Sequence, residues 1–223
     1  MKTYIWGLPT RIFHTCLVLF IAITWISAED DFMQIHSAFG YAVGILVIFR
    51  LIWGVIGPKY SHFRDFNFSI KNAIEFSKNV FTHINKKYLG HNPAASIVLF
   101  IMLFIIIIAV ITGVLALGEQ EAKGFFSNLS NTSLKSMELF EGLHEFFADF
   151  MLVFIFMHVV GVLTDRLLHK EDGTAKSILT GYKNIQGQNS KINIFQTIIS
   201  IIFFVLMILV MYFTFTNMPI FYS

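Results

Sequence analysis

The sequence predicts an all-α integral membrane protein, built as a four-helix transmembrane bundle with a fifth, C-terminal membrane helix. Three observations predict it. Of 223 residues, 56% are hydrophobic and only 13% charged, about half the charged share of an ordinary soluble domain. Five apolar runs are each long enough to cross about 30 Å of hydrocarbon at about 1.5 Å per residue. The few charges segregate by loop, as the orientation rule for membrane helices requires. An ordinary soluble enzyme is excluded, because such a chain could not cover its surface. A net charge of +2 leaves no basic footprint for nucleic acid. The single cysteine, Cys16, excludes an intrachain disulfide framework, a four-cysteine cluster and a CxxCH haem attachment.

The spans are expected at about 9–28, 36–57, 94–117, 143–168 and 194–216. The first contains LVLFIAITWI, the second VGILVIF, and the third is nearly unbroken from Ile97 to Val114. The fourth carries two histidines; the fifth, IIFFVLMILVMYFTF, holds no charged residue. Uninterrupted runs of this length are helices, since barrel strands would show short alternating segments. Ile26-Ser27-Ala28 resembles a leader cleavage site, but Trp6, Pro9 and His14 are unusual in a leader, so the first span is expected to be retained.

Five spans put the N-terminus, the loop 58–93 and the segment 166–193 on one side. These carry thirteen of the sixteen Lys and Arg residues; the opposite side has Lys123 and Lys135, and Arg50 lies within a span. The N-terminus is therefore expected in the cytoplasm and the C-terminus outside. Outer loops hold Glu29, Asp30, Asp31, Glu119, Glu121, Glu138 and Glu141, seven acids against two lysines, or −5. Such a face favours a partner with a lysine-rich patch. Between spans, SIKNAIEFSKNVF (69–81) predicts a short amphipathic surface helix with Ser69 as N-cap. The outer loop 118–142 is polar and without pattern.

Ionisable residues inside a span are costly and turn toward the bundle interior. His144 and His158 are fourteen residues apart, a rise of about 21 Å and a rotation of about −40°, so both leave nearly one helix face at two depths. Topology puts His14 on the level of His158, toward the cytoplasm, and His36 on the level of His144, toward the outside. Two imidazoles at each level suit bis-histidine ligation of two haem irons. With no CxxCH, both are expected to be non-covalent haem b. Interhelical hydrogen bonding is the other reading of an intramembrane histidine, and metal transport a third, but no acidic cluster lies at the midplane. Gly40 and Gly44, one and two turns past His36, would let a flat macrocycle approach the backbone, or would serve a close helix–helix contact. Arg50, fourteen residues past His36, and Arg11, one turn before His14, are candidate contacts for haem propionates. Snorkelling to the interface is the other role for Arg50, and a surface orienting charge the other role for Arg11.

At these residues a resemblance enters. WGLPTRIFH (6–14), IHSAFGYAVGILVIFRLIWGVIG (35–57), YLGHNPAAS (88–96) and HEFFADFMLVFIFMHVVGVLTDRLL (144–168) resemble the bacterial cytochrome b561 and nickel–iron hydrogenase cytochrome b family. The likeness covers about residues 4–184, which defines an expected di-haem domain at 1–184 and a C-terminal extension at 185–223. It implies four helices holding two haems b, with His14, His36, His144 and His158 as axial ligands. It also implies electron exchange between a quinone and a partner protein. GHNP and FRDF (63–66) imply a subgroup served by c-type cytochromes. The fifth span has no counterpart in the simplest members. The expected function is therefore electron transfer across a bacterial inner membrane between a quinone pool and a redox partner on the outer face, such as a periplasmic c-type cytochrome. The alternative is a haem-bearing anchor for a larger periplasmic oxidoreductase, such as a hydrogenase or thiosulfate reductase subunit. His62, Arg64, His83 and His91 in the cytoplasmic loop are candidates for a quinone headgroup, a solvated or interfacial loop being the commoner reading of such residues.

Overall fold

The structure is a computed structural model of the whole chain, and it describes residues 2–80, 87–133 and 137–216. Among the described residues, five helices are long and apolar enough to cross a membrane. They are α1 (Leu8–Ile26), α2 (Met33–Ile56), α4 (Pro93–Gln120), α5 (Leu139–Leu168) and α7 (Ile194–Phe215). Shorter elements join them: strand β1 (Thr3–Tyr4), helix α3 (Ile70–Asn79), helix α6 (Thr174–Thr180) and strand β2 (Tyr182–Lys183). All five expected spans are helices. Their side chains are largely exposed, as in Phe156 and Leu167, because lipid rather than protein covers an apolar side chain there. α2 is the most buried of the five.

Several ends differ from expectation; α2 begins at Met33 rather than 36, and two further shifts belong together. α5 begins at Leu139 rather than 143, and α4 runs on to Gln120. Both extensions meet at one contact: Glu119 is fully buried and its Oε2 accepts the backbone N–H of Phe140 at 3.1 Å. A carboxylate on a free N–H of a helix's first turn is a stabilising cap. Glu119 is therefore not part of an exposed acidic face. The outer connection holds short helical turns at Gly124–Asn131, where sequence suggested no pattern. The amphipathic helix α3 is present, with the Ser69 hydroxyl accepting from the Asn72 N–H at 3.2 Å; Phe81 lies outside the described residues.

The chain divides into two compact units. The first comprises Met1–His14, Arg50–Met102 and Val153–Ser200. In it β1 pairs antiparallel with β2, Thr3 opposite Lys183 and Tyr4 opposite Tyr182. The register is extended by Ile5 and Trp6, whose N–H groups donate to the Gly181 carbonyl at 2.8 and 3.2 Å. Gly181 closes α6 with φ 87°, and a Cβ there would sit 2.5 Å from the Tyr4 ring, so only glycine fits. Ile5, Trp6 and Tyr60 form a small core covered by Leu89 and Ile178. Trp6 Nε1 donates to the Ser177 hydroxyl (3.1 Å), Trp53 Nε1 to the Thr10 hydroxyl (3.1 Å), and Gln196 Nε2 to the Ile56 carbonyl (2.7 Å).

The second unit comprises Thr15–Phe49, Leu103–Leu152 and Ile201–Ser223. Here α7 packs on α2 through Phe204 against Phe49 (centroids 5.3 Å) and Phe215 against Phe39 (6.1 Å). The Gln34 amide donates to the Phe215 carbonyl at 3.0 Å. The fifth span is thus packed against the helix that carries His36 and Arg50.

Candidate haem-binding site

In the second unit, His36 on α2 and His144 on α5 face each other with ring centroids 5.9 Å apart and planes at 90°. Each ring is oriented by a backbone carbonyl. His36 Nδ1 bonds Thr24 O at 2.8 Å, and His144 Nδ1 bonds Ala109 O at 2.8 Å. A carbonyl oxygen only accepts, so both Nδ1 atoms carry the proton and both Nε2 atoms keep a bare lone pair. That is the tautomer a metal-binding histidine needs, fixed by the partner such histidines usually have.

Helix chemistry explains both acceptors. Thr24 lies in the last turn of α1, where carbonyls lack an intrahelical partner. Ala109 is mid-helix, and its oxygen is reachable because the residue one turn on is Gly113. A Cβ on Gly113 would stand 2.8 Å from His144 Cε1 and 2.9 Å from its Nδ1, closer than real Cβ atoms come. The missing side chain makes room for the ring. The Thr112 hydroxyl shares the same carbonyl at 3.2 Å.

Two imidazoles bonding one metal from opposite sides, at roughly 2.0–2.1 Å per nitrogen, have ring centroids about 6 Å apart. The His36–His144 spacing fits that arrangement. Among the described residues no group of three or more His, Cys, Asp or Glu side chains could hold a metal ion, so a two-ligand site is what the pair offers. Gly40 supplies a second sign of fit: a Cβ there would meet nothing within 4 Å, so the helix surface beside His36 is open. Gly44 differs, because its Cβ would stand 3.2 Å from Val110 of α4. It serves a close helix–helix contact.

In the first unit, His14 on α1 and His158 on α5 lie within electrostatic reach, the charge of His158 acting on His14. Arg50 carries its guanidinium 4.6 Å above the Phe63 ring and 5.7 Å from that of Phe66, and its Nη1 donates to Ser61 O at 3.2 Å. That carbonyl is presented by a turn whose Tyr60 adopts φ 73° and is held by the Asp65 carboxylate on its N–H at 3.0 Å. Arg11 instead ties to the Leu179 carbonyl at 2.6 Å, with its Nε buried and unpartnered.

The loop candidates separate. Arg64 is exposed and His62 half-exposed, while His83 lies outside the described residues. The His91 ring stands between Trp6 (centroids 5.0 Å) and Phe66 (4.7 Å), with its Nδ1 buried and unpartnered. Burial, then the nearby charges of Arg50, Lys183 and His158, push His91 down to about 3, so the ring is neutral at physiological pH. Lys183 is 3% exposed and donates to the Tyr88 and Gly90 carbonyls at 2.9 and 3.2 Å. Burial pushes it down to about 8, against the opposing pull of Asp165 and Asp172. Sequence reasoning passed over Lys183 and Gly113; the one signal for Gly113 was a glycine interrupting an Ile- and Val-rich run.

Membrane helices that bring two neutral imidazoles together, each with Nε2 unprotonated, suit one class of protein, the helical membrane cytochromes. The model of the prokaryotic cytochrome b561 family matches the chain over residues 5–181, and the chain belongs to that family. No curated protein and no solved structure matches it. The chain is thus a multi-pass membrane b-type cytochrome, a haem-b protein of electron transport.

Proposed function

We propose that the chain is a di-haem cytochrome passing electrons across a bacterial inner membrane, between a quinone pool and a redox partner on the outer face. His14 and His158 would hold the cytoplasmic-side haem iron, and His36 and His144 that of the outer-side haem. The observation that carries this reading is the opposed His36–His144 pair with both Nδ1 protons spent on carbonyls. Haem b bound there supplies a one-electron iron couple. With both imidazoles of a pair given to the iron, the residues would offer no place for oxygen or substrate, which favours electron transfer over catalysis. The Thr24 and Ala109 carbonyls hold each ring in place and raise the basicity of its Nε2.

Residues 1–184 form the di-haem domain, with Arg50 as a propionate contact and Gly40 giving the macrocycle room. The geometry favours Arg11 as an orienting surface charge and Gly44 as a packing residue. The N-terminus is cytoplasmic and the C-terminus periplasmic, supported by the thirteen-to-two division of basic residues. A small periplasmic c-type cytochrome with a lysine-rich face suits the acidic outer loops.

Haem extraction and quantitation on the detergent-purified chain tests the count. Two haems b per chain are expected, both low-spin in the oxidised state. A single haem, or a high-spin signal from either, contradicts the reading.

A further inference from the structure

The first unit holds a cluster that ligation by His14 and His158 does not use. Arg50 spends one of its five N–H donors on Ser61 O, and among the described residues it has no carboxylate partner. Lys183 uses two of its three protons, on Tyr88 O and Gly90 O. Asp172 bonds Lys87 at 2.7 Å and Asp165 lies beside His169 at 3.6 Å; both acids also act on Lys183, and neither bonds Arg50 among the described residues. His91 joins the two cations. It shares the Phe66 ring with Arg50, and it feels the charges of Arg50, Lys183 and His158. Its Nδ1 is buried without a partner. An arginine with no carboxylate partner among the described residues, a lysine with one proton to spare and an unpaired buried imidazole nitrogen, beside one of the proposed iron ligands, together suit an anion.

We propose that His91, with Arg50 and Lys183, binds a propionate carboxylate of the haem held by His14 and His158. The inference rests on the bis-histidine reading of that pair. It moves His91 from the quinone to the haem: the imidazole N–H donates to the carboxylate, the guanidinium offers a charge-assisted hydrogen bond, and the ammonium balances the charge. Trp6 and Phe66 hold the ring in place.

Redox titration of the full-length holoprotein tests this with His91→Phe and His91→Gln. Phe keeps a ring between Trp6 and Phe66 but removes both nitrogens; Gln keeps a donor. With Phe, both haems should remain, and the oxidised-to-reduced ratio of the cytoplasmic-side haem at fixed poise should rise several-fold. A carboxylate that loses its donors favours ferric iron. The outer-side haem should be unmoved, and Gln should return most of the shift. In protein reconstituted with haem dimethyl ester, which has no carboxylate, His91→Phe should have no effect. The proposal is overturned if Phe leaves both ratios unchanged, whether or not reduction by a soluble quinol is lost; lost quinol reduction would assign His91 to the quinone. It is also overturned if Gln and Phe strip the same haem equally, which would make the ring a packing element. A wild-type titration with one component only would refute the underlying two-haem reading instead.

Discussion

At the scale of single residues, Gly113 and Glu119 of α4 both act on α5, the helix that carries His144. Gly113→Ala puts a methyl group where the His144 ring stands, so the ring must leave the Ala109 carbonyl. The expected outcome is loss of most of the haem proposed at His36 and His144, with that proposed at His14 and His158 retained, read from haem content per chain. Equal retention of both haems would show that the ring tolerates the methyl. Glu119 caps α5 one turn before His144. Glu119→Ala should lower stability by about 1 kcal/mol, the usual cost of a lost cap, seen as an earlier melting of the haem absorbance; Glu119→Gln, which keeps an acceptor, should melt near wild type. The histidines themselves were legible in sequence, because an ionisable group in an apolar run stands out. Their orienting partners were not. Thr24 and Ala109 act through backbone oxygens, which every residue has, and only the fold shows which oxygen is free.

At the scale of elements, the long helices could be read directly, since each needs only an unbroken apolar run. Their ends could not, because the Glu119–Phe140 contact that sets two of them joins residues 21 positions apart. The two-residue strands β1 and β2 and the seven-residue α6 have no periodicity to detect; pairing across about 180 residues creates them. α3 was legible from its spacing and its cap. Its Ile70 and Ile74 are exposed, at 69% and 51%, the pattern of a helix lying in the membrane interface. Replacing both by Asp should release it, giving faster amide exchange across 70–79 with unchanged haem spectra. Exchange as slow as wild type would mean that the two isoleucines do not anchor it.

At the scale of the whole molecule, helix order pairs the histidines by depth, and charge sorting assigns each proposed pair to a side of the membrane. Single cysteines introduced into a Cys16→Ser background test the orientation. Position 59 should be labelled by an impermeant reagent only after the cells are opened, and position 121 in intact spheroplasts. The reverse pattern would invert the assignment of both haems to their sides. The most direct test of the pairing itself is redox titration of four variants, each replacing one of His14, His36, His144 and His158 by Ala. His14→Ala and His158→Ala should lose the same haem component, and His36→Ala and His144→Ala should both lose the other. If His14→Ala and His36→Ala removed the same component, the pairing would be wrong.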